Sequence, residues 1–399
     1  MPDPAPDLST IQDLRRARAL LIERWHCHGR RVTVARAPGR LNLIGEHTDY
    51  NRGLVLPVAV DRAVFVAVAL REDRHVRVWS DTLQSAEEFD LDTVTEAPPE
   101  GWVKYLRGVA WVLQEQGLSL QGVDAALHST VPRGAGLSSS AALEVAWALA
   151  LLAAAGQHLP PRELALACQR AENEYVGMRC GILDQFASVF GRAQTALLID
   201  CDTLEIQPVP LQGTPVSLVV CDTNKPRELV DSEYNLRRAQ CEEGARLLGL
   251  PSLRPATKEQ VMAAREQLGE VVFRRCWHVV TENERTLETA QALRRGDLES
   301  VGRMIAASHR SLRDYYEVSC PELEAMWQAT QAAGCYGSRL VGAGFGGAVL
   351  ALVPRQRTRQ FVPRVAEAYQ ADTGRKPNVF AVQIAEGAEV LRGPAADLG

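Results

Sequence analysis

The segment that most restricts the fold is a strongly apolar helix predicted over residues 141–156. Its only charged residue is Glu144. A helix that is apolar all round is either buried in a core or placed in a membrane, and this one is too short to span a bilayer. A strand predicted over 122–131 and a loop over 132–136 precede it. We therefore expect this helix to be buried in a protein core.

The chain length of 399 residues favours two domains, because it exceeds what one small core usually holds. The first part mixes helices and strands, whereas long charged helices dominate after about residue 228. This change places a provisional boundary near residue 212. It predicts an N-terminal domain over 1–212 and a C-terminal domain over 213–399. Predicted elements include a helix over 9–26, strands over 31–36, 54–70, 75–79, 195–200, 205–210, 216–222 and 378–384, and helices over 103–116 and 356–371.

Composition excludes several classes of protein. The net charge of −5 and the lack of long Lys/Arg blocks argue against nucleic acid and membrane surfaces as partners. The nine cysteines form no Cys-x-x-Cys pair, which favours reduced thiols and a cytoplasmic location. The start of the chain shows no signal-peptide pattern. His26-Cys27-His28 more simply ends the first helix than binds a metal. We expect a monomer that acts on small molecules.

The loop from Arg133 to Ser140, here called the phosphate loop, has the sequence of an anion-binding turn. Its two glycines allow backbone N–H groups to approach an anion, and the helix that follows adds a favourable dipole. It lacks the Gly-Lys-Ser/Thr ending of a Walker A loop. The simpler alternative is that Ser138 only caps the helix. The predicted anion-binding residues are Gly134, Ala135, Gly136, Leu137, Ser138, Ser139 and Ser140.

A second polar cluster, here called the sugar motif, covers residues 40–50. It places an acid, an imidazole, a hydroxyl and a second acid in succession: Glu46, His47, Thr48 and Asp49. So many donors and acceptors suit a ligand with many hydroxyl groups, such as a sugar, better than they suit a core. A turn predicted over 37–39 would present Arg40 from a fixed backbone. Composition alone also allows a polar surface loop.

Two further segments carry weaker signals. Residues 342–347, here called the glycine loop, match the pattern Gly-x-Gly-x-x-Gly, but a predicted strand follows instead of a helix. We therefore expect a tight passage for backbones or a ligand rather than a dinucleotide site. Glu172 falls late in a helix opened by Pro161, and Asp184 lies between apolar neighbours that would desolvate it.

These separated segments together resemble the galactokinase family. Arg40 to Tyr50 resembles its signature motif, Gly134 to Ala141 the phosphate motif of the wider superfamily, and Ser338 to Gly347 its third motif. The segments 180–186 and 222–234 are similar as well. The resemblance implies an α+β fold with an N-terminal ribosomal-S5-like domain, a C-terminal ferredoxin-like domain and an active site between them.

The resemblance also implies an activity, the transfer of the γ-phosphate of ATP to the anomeric hydroxyl of galactose. This reaction yields galactose 1-phosphate and ADP and is the entry step of galactose catabolism. It implies Asp184 as the catalytic acid residue, with Arg40 stabilising its charge. The further implied roles are sugar binding by Glu46, His47, Thr48, Asp49 and Tyr234, ATP binding by the phosphate loop with Ser80 and Trp102, and Mg²⁺ binding by Ser140 and Glu172.

Two residues depart from the family pattern. Ala348 replaces the usual cysteine after the glycine loop, and Arg52 stands where a smaller residue is usual. If Arg52 points into the sugar pocket, the preferred substrate differs. Open alternatives are therefore a kinase for another sugar, such as N-acetylgalactosamine, and a sugar sensor without catalysis. The Ser140-Ala141 pair, which sensor relatives lack, disfavours the sensor. A purely structural protein would leave the clustered acids unexplained.

Overall fold

The computed structural model describes residues 8–95, 98, 100–132, 134–225 and 230–391. Arg133 of the phosphate loop and residues 226–229 of the segment 222–234 lie outside them. Within the described ranges, no helix combines the length and the apolar character needed to cross a bilayer. The eleven helices described are α1 (Leu8–Trp25), α2 (Val103–Glu115), α3 (Ser139–Ala154), α4 (Pro161–Arg170), α5 (Leu183–Phe190), α6 (Val230–Leu247), α7 (Lys258–Ala263), α8 (Arg265–Arg295), α9 (Leu298–Ser311), α10 (Pro321–Ala333) and α11 (Thr358–Thr373).

The described strands form three sheets, with the orders β13-β1-β3-β6-β4-β5, β10-β11-β9-β12 and β2-β7-β8. In the six-stranded sheet only the pair β4 and β6 runs parallel. The strands are β1 (Val32–Asn42), β2 (Leu54–Val55), β3 (Pro57–Leu70), β4 (His75–Ser80), β5 (Ser85–Asp90), β6 (Val123–Ser129), β7 (Thr195–Asp200), β8 (Glu205–Pro210), β9 (Val216–Asp222), β10 (Gly337–Val341), β11 (Ala348–Pro354), β12 (Asn378–Val382) and β13 (Glu389–Leu391).

The six-stranded sheet is covered by helices on both faces. Successive side chains of a strand point to opposite faces. Phe65 of β3 accordingly packs with Leu14 and Leu21 of α1, whereas Val66 packs in the cluster that contains Trp147 of α3. Both faces of β3 are therefore buried, which explains its nearly continuous run of Val and Ala. The prediction that the apolar helix lies in a core is confirmed.

The predicted turn at residues 37–39 is wrong, because β1 continues through it. The register shifts between Pro38 and Arg40, so a bulge takes the place of the turn. Gly39 lies so close to the phosphate loop that a Cβ there would stand 2.6 Å from the carbonyl oxygen of Leu137. The Arg40 N–H donates to that same oxygen at 3.1 Å. Strand and phosphate loop are thus joined directly.

The second half of the chain packs helices α6 to α11 around the four-stranded sheet. The glycine loop connects β10 to β11, as expected of a strand–loop–strand unit. The last strand, β13, returns to pair with β1. The mixed helix-and-sheet fold was correctly predicted. The division near residue 212 stays a prediction.

Candidate active site

The sugar motif, the phosphate loop, α5 and the glycine loop meet at one cavity of about 430 Å³. Most of the predicted site residues line it, although they come from elements far apart in the chain. The predicted residues that line this cavity are Arg40, Glu46, His47, Asp49, Gly134, Gly136, Leu137, Ser138, Ser139, Ser140, Glu172, Asp184 and Tyr234. Pro132, Met178, Cys180, Leu183, Gly342 and Ala343 complete the lining.

Asp184, in the first turn of α5, receives hydrogen bonds on both carboxylate oxygens. Arg40 Nε donates to Oδ1 at 2.8 Å and Arg40 Nη2 lies 2.6 Å from the same oxygen. Ser138 Oγ donates to Oδ2 at 2.5 Å. Burial lowers the pKa of Arg40, but the carboxylates of Asp184 and Glu46 outweigh this effect and raise it. Arg40 is therefore a permanent cation beside Asp184.

The phosphate loop is shaped by two glycines in left-handed conformations, Gly134 with φ 79° and Gly136 with φ 74°. Such φ values favour glycine, which has no Cβ. Ala135 and Leu137 alternate with them and are buried, so they anchor the loop. Ala135 does not line the cavity. Helix α3 begins at Ser139, and the first N–H groups of a helix have no acceptor within it, which suits such a terminus to an anion.

Ser138 is the N-cap residue of α3, but its side chain makes no capping hydrogen bond. Its backbone has φ 54°, and its hydroxyl donates to Asp184 instead. The alternative that Ser138 only caps the helix is therefore wrong.

Glu172 lies in a π-helical segment, Ala171–Val176, which continues α4. Short π segments often occur at functional positions. Gln185 Nε2 donates to Glu172 Oε2 at 2.8 Å. Burial, and next the charge of Asp184, raise the pKa of Glu172 to about 7. A hydroxyl and a carboxylate are hard oxygen ligands of the kind Mg²⁺ prefers. Ser140 and Glu172 line the same cavity, so this pair of donors fits the cation.

Glu46 is almost completely buried, and both of its carboxylate oxygens are bound by protein groups. Asn42 Nδ2 donates to Oε2 at 2.9 Å, while Arg339 Nη2 and the Gly342 N–H each donate to Oε1 at 2.9 Å. Arg339 also donates to the backbone carbonyl of Asn42 at 2.5 Å. Glu46 therefore ties the sugar motif to β10 and the glycine loop.

Side chains of helix α8 bind the backbone of the sugar motif at Gly45 and Glu46. The buried Glu282 carboxylate accepts from the Gly45 N–H at 3.1 Å, and His278 Nε2 lies 3.1 Å from the Glu46 carbonyl oxygen. Sequence reasoning missed Arg339, Glu282 and His278. Arg339 lay within the third motif, but nothing in the pattern of α8 distinguished two buried polar residues from a solvated helix face.

His47 is a left-handed residue with φ 61°, and its ring is buried. Its Nδ1 lies 2.8 Å from the Tyr50 hydroxyl and its Nε2 lies 3.2 Å from the carbonyl oxygen of Ala343. Burial lowers the pKa of His47 to about 3, so the imidazole is neutral at neutral pH. Both ring nitrogens are engaged by protein groups.

Thr48 and Asp49 take different places in the structure. The Thr48 hydroxyl lies 2.8 Å from the carbonyl oxygens of both Gly45 and Leu54, inside the loop, and it does not line the cavity. The Asp49 carboxyl lines the cavity and packs directly against Gly181, where a Cβ would stand 2.1 Å from Asp49 Oδ2. Burial, and next the charge of Asp184, raise the pKa of Asp49 to about 7.

Ser80 and Trp102 line a second cavity of about 210 Å³. This cavity is mainly apolar, with Tyr105 among its walls. It adjoins the first one, because Ser139 and Ser140 line both. The structure thus places Ser80 and Trp102 beside the phosphate loop, and their contact with the adenine of ATP stays a prediction.

Arg52 does not point into the cavity. Its side chain is 59% exposed and pairs with Asp202 at 3.4 Å. The conditional prediction that Arg52 alters the preferred sugar therefore loses its basis. The other departure, Ala348, is buried at the start of β11.

Three family models match this chain. The description "Galactokinase galactose-binding signature" matches residues 26–70, "GHMP kinases N terminal domain" residues 104–192 and "GHMP kinases C terminal" residues 289–371. A galactokinase of Roseiflexus sp. is 46% identical over 89% of this chain and 92% of the relative. A galactokinase of Chloroflexus aggregans is 45% identical over 86% of this chain and 89% of the relative.

Solved structures give the same picture. The structure of Lactococcus lactis galactokinase complexed with galactose superposes with a TM-score of 0.89 at 35% identity, and it covers 94% of this chain and 99% of that chain. The Methanococcus jannaschii mevalonate kinase is 16% identical with a TM-score of 0.62, over 88% of this chain and 98% of that chain. The second likeness shows the fold alone.

Proposed function

The chain belongs to the galactokinase family of ATP-dependent sugar kinases, and on this premise we propose how its cavity transfers the γ-phosphate of ATP to the anomeric hydroxyl of galactose. The observation that carries the proposal is the contact between Asp184, Arg40 and Ser138. It joins the strand that leads into the sugar motif to the end of the phosphate loop. A carboxylate at this junction lies between the sugar and the phosphates.

Asp184 acts as the general base in this proposal. It accepts the proton of the anomeric hydroxyl while that oxygen attacks the γ-phosphorus. The new O–P bond forms as the bond from the γ-phosphorus to the β-phosphate oxygen breaks, and ADP leaves with those electrons. Because phosphoryl transfer depends mainly on positioning and on charge stabilisation, the acid also needs a fixed orientation. The hydrogen bonds from Arg40 and Ser138 supply it.

Arg40 has two tasks. Its guanidinium holds the Asp184 carboxyl group in place through Nε and Nη2. Its Nη1 donates to the carbonyl oxygen of Gly136 at 2.6 Å, so the same group fixes the phosphate loop. From this position the guanidinium shares the negative charge that develops on the transferring phosphoryl group.

The phosphate loop and the N-terminus of α3 bind the phosphates of ATP through backbone N–H groups. Ser80 and Trp102 flank the adenine of ATP in the adjoining cavity. Ser140 and Glu172 would hold Mg²⁺, and the bound cation would supply positive charge that offsets the charge of the phosphates. Burial raises the pKa of Glu172, and a nearby cation favours its ionised form.

The sugar occupies the end of the cavity formed by Asp49 and Tyr234, with Glu46 and His47 completing that wall. Asp49 is the best-placed of the motif's carboxyl groups to accept hydrogen bonds from sugar hydroxyls. The Glu46 oxygens already accept from Asn42, Arg339 and Gly342, so Glu46 holds the wall in shape. Thr48 closes the loop behind them.

The proposal extends to the cellular location and the oligomeric state of the enzyme. The substrates are galactose and ATP, both small molecules found in the cytoplasm, and we place the enzyme there as a monomer. The pattern of nine cysteines without a Cys-x-x-Cys pair supports a reducing compartment.

A coupled ADP-release assay with ATP and Mg²⁺ tests the function. The sugars compared are galactose, N-acetylgalactosamine, glucose and mannose, with homoserine and mevalonate as acceptors of related kinases. We expect turnover with galactose well above the others. Faster turnover with another acceptor would overturn the galactose assignment, and galactose binding without ADP release would favour a sensor.

A further inference from the structure

A chain of hydrogen bonds runs behind the sugar end of the cavity and involves none of the phosphate-binding groups. It begins at the buried thiol of Cys241 on α6, which lies 3.1 Å from the Tyr316 hydroxyl. The Tyr316 and Tyr50 hydroxyls lie 2.7 Å apart. Tyr50 reaches His47 Nδ1 at 2.8 Å, and His47 Nε2 reaches the Ala343 carbonyl oxygen at 3.2 Å.

One end of this chain fixes the direction of every proton in it. A carbonyl oxygen only accepts hydrogen bonds, so His47 carries its proton on Nε2 and donates to Ala343. Nδ1 of the neutral ring is then an acceptor, and the Tyr50 hydroxyl must donate to it. Because the Tyr50 proton is used, Tyr316 donates to Tyr50. The Cys241 thiol in turn donates to Tyr316.

The surroundings support this assignment. Burial lowers the pKa of His47 to about 3 and raises the pKa of Cys241 to about 11, so a neutral ring and a protonated thiol are the stable forms. Tyr316 is completely buried at the end of a π-helical segment, Leu312–Tyr316. The centroids of the Tyr316 and His47 rings are 4.7 Å apart, so the imidazole is held both by packing and by hydrogen bonds.

We propose that Tyr50 and Tyr316 are positioning residues that fix the orientation of the neutral His47 ring and, through His47, hold the Ala343 carbonyl of the glycine loop against the sugar subsite. The assignment of that subsite to the sugar rests on the proposed function. His47 then acts as a strut between two elements rather than as a free hydrogen-bond donor to the sugar. The two tyrosines come from the N-terminal motif and the helical second half, so the strut joins both.

The tautomer can be tested without any substrate. In protein labelled with ¹⁵N-histidine, NMR correlations through the ring separate the two neutral tautomers, and comparison with His47→Asn assigns His47 among the eight histidines. The proposal predicts a proton on Nε2 in the wild-type protein at pH 7. A proton on Nδ1 would overturn it, whatever the enzyme's substrate proves to be.

Among the described residues, Tyr50 is the donor that reaches Nδ1, so Tyr50→Phe leaves this buried acceptor unsatisfied, which has a substantial free-energy cost. We expect the KM for galactose to rise by roughly tenfold, with kcat and the KM for ATP within about twofold. Tyr316→Phe leaves the Tyr50 donor in place, so its effect is smaller, about threefold. In both variants Ala343 still accepts from Nε2, so the tautomer stays the same, but the His47 ring signals broaden because the ring is no longer held at Nδ1 as in the wild-type protein.

Tyr315→Phe is the matched control, because Tyr315 precedes Tyr316 in the sequence but is 37% exposed and takes no part in this series of hydrogen bonds. It leaves the tautomer and both KM values unchanged. A Tyr50→Phe protein with His47 ring signals as sharp as in the wild-type protein, or with the wild-type KM for galactose, would overturn the proposal. Equal increases in the KM for galactose and ATP would indicate a general structural defect and would also count against it.

Discussion

Arg40 and Asp184 are 144 positions apart in the chain, yet the guanidinium Nη2 lies 2.6 Å from the carboxylate Oδ1. The same guanidinium donates to the carbonyl oxygen of Gly136 through Nη1. One side chain thus orients the proposed base and the phosphate loop together. A planar group with several donors is required for this, and a single ammonium group does not reproduce it.

Replacement of Arg40 by lysine tests this double contact. Arg40→Lys keeps the charge but loses the forked geometry, and we expect kcat to fall by about 10²- to 10³-fold. Galactose affinity, measured by calorimetry, stays within a few-fold. The matched control is Arg52→Lys, because Arg52 is exposed and lies outside the cavity. Equal activity in the two variants would contradict the role given to Arg40.

The contact between Arg339 and Glu46 predicts a loss of stability. Arg339→Met leaves the buried Glu46 carboxylate without its cation, and breaking a buried pair in this way costs about 3–5 kcal/mol. Urea denaturation of the variant measures this directly. Arg310→Met, at an exposed position on α9, serves as the control. A difference between the two variants below about 1 kcal/mol would show that Asn42 and Gly342 suffice to hold Glu46.

Because the pKa of Asp49 is raised in the folded protein, we expect the free energy of unfolding to depend on pH. Burial and the charge of Asp184 raise its pKa from the usual 3.8 to about 7. Between these values the folded protein binds more protons than the unfolded chain, so this group's contribution to stability falls as the pH rises from about 4 to 7. Asp49→Asn removes the titration. We expect the ligand-free variant to melt a few degrees above the wild-type protein at pH 8, with the gain shrinking toward pH 4.

Thermal scans across this range provide the measurement for Asp49. The comparison with wild-type protein at each pH cancels the titration of other groups. A gain of the same size at pH 8 and at pH 4.5, or none at pH 8, would refute the account. Galactose turnover by the same variant falls at both pH values, since the amide is a poorer acceptor for sugar hydroxyls than the carboxylate.

The close contact between Gly181 and Asp49 predicts that a larger residue at position 181 disturbs the sugar subsite. An added Cβ would stand 2.1 Å from Asp49 Oδ2, so Gly181→Ala must displace the Asp49 carboxyl. We expect the KM for galactose to rise at least tenfold, whereas the KM for ATP changes little because the phosphate loop lies elsewhere. Steady-state kinetics with each substrate varied in turn separate the two. Unchanged galactose kinetics would mean that Asp49 does not bind the sugar.

Local patterns were enough to predict much of this fold. The apolar helix, the helix opened by Pro161 and the strand–glycine loop–strand unit appear where their residues indicated them, because each depends on neighbours close in sequence. Strands β5 and β13 were missed. Ser85–Asp90 of β5 is polar at an edge of the sheet, and β13 exists only through its long-range pairing with β1.

The candidate site, too, was predicted only where local sequence determines it. The glycines and serines indicated the phosphate loop, and the clustered acids indicated the sugar motif. Which side chains face the cavity depends on tertiary contacts, and sequence reasoning did not place them. Thr48 bonds within its own loop and Arg52 faces outward. Arg339 and Glu282 bind the sugar motif from the second half of the chain, and these contacts depend on the tertiary structure.

The most direct test of the mechanism is the turnover of Asp184→Asn, measured together with its affinity for galactose and ATP. A lost general base is expected to lower kcat by about 10²- to 10⁴-fold, while calorimetry shows both ligands still bound, since Asn occupies the same volume. Retention of more than about a tenth of wild-type kcat, with an unchanged pH profile, would show that Asp184 is an electrostatic element and not the base.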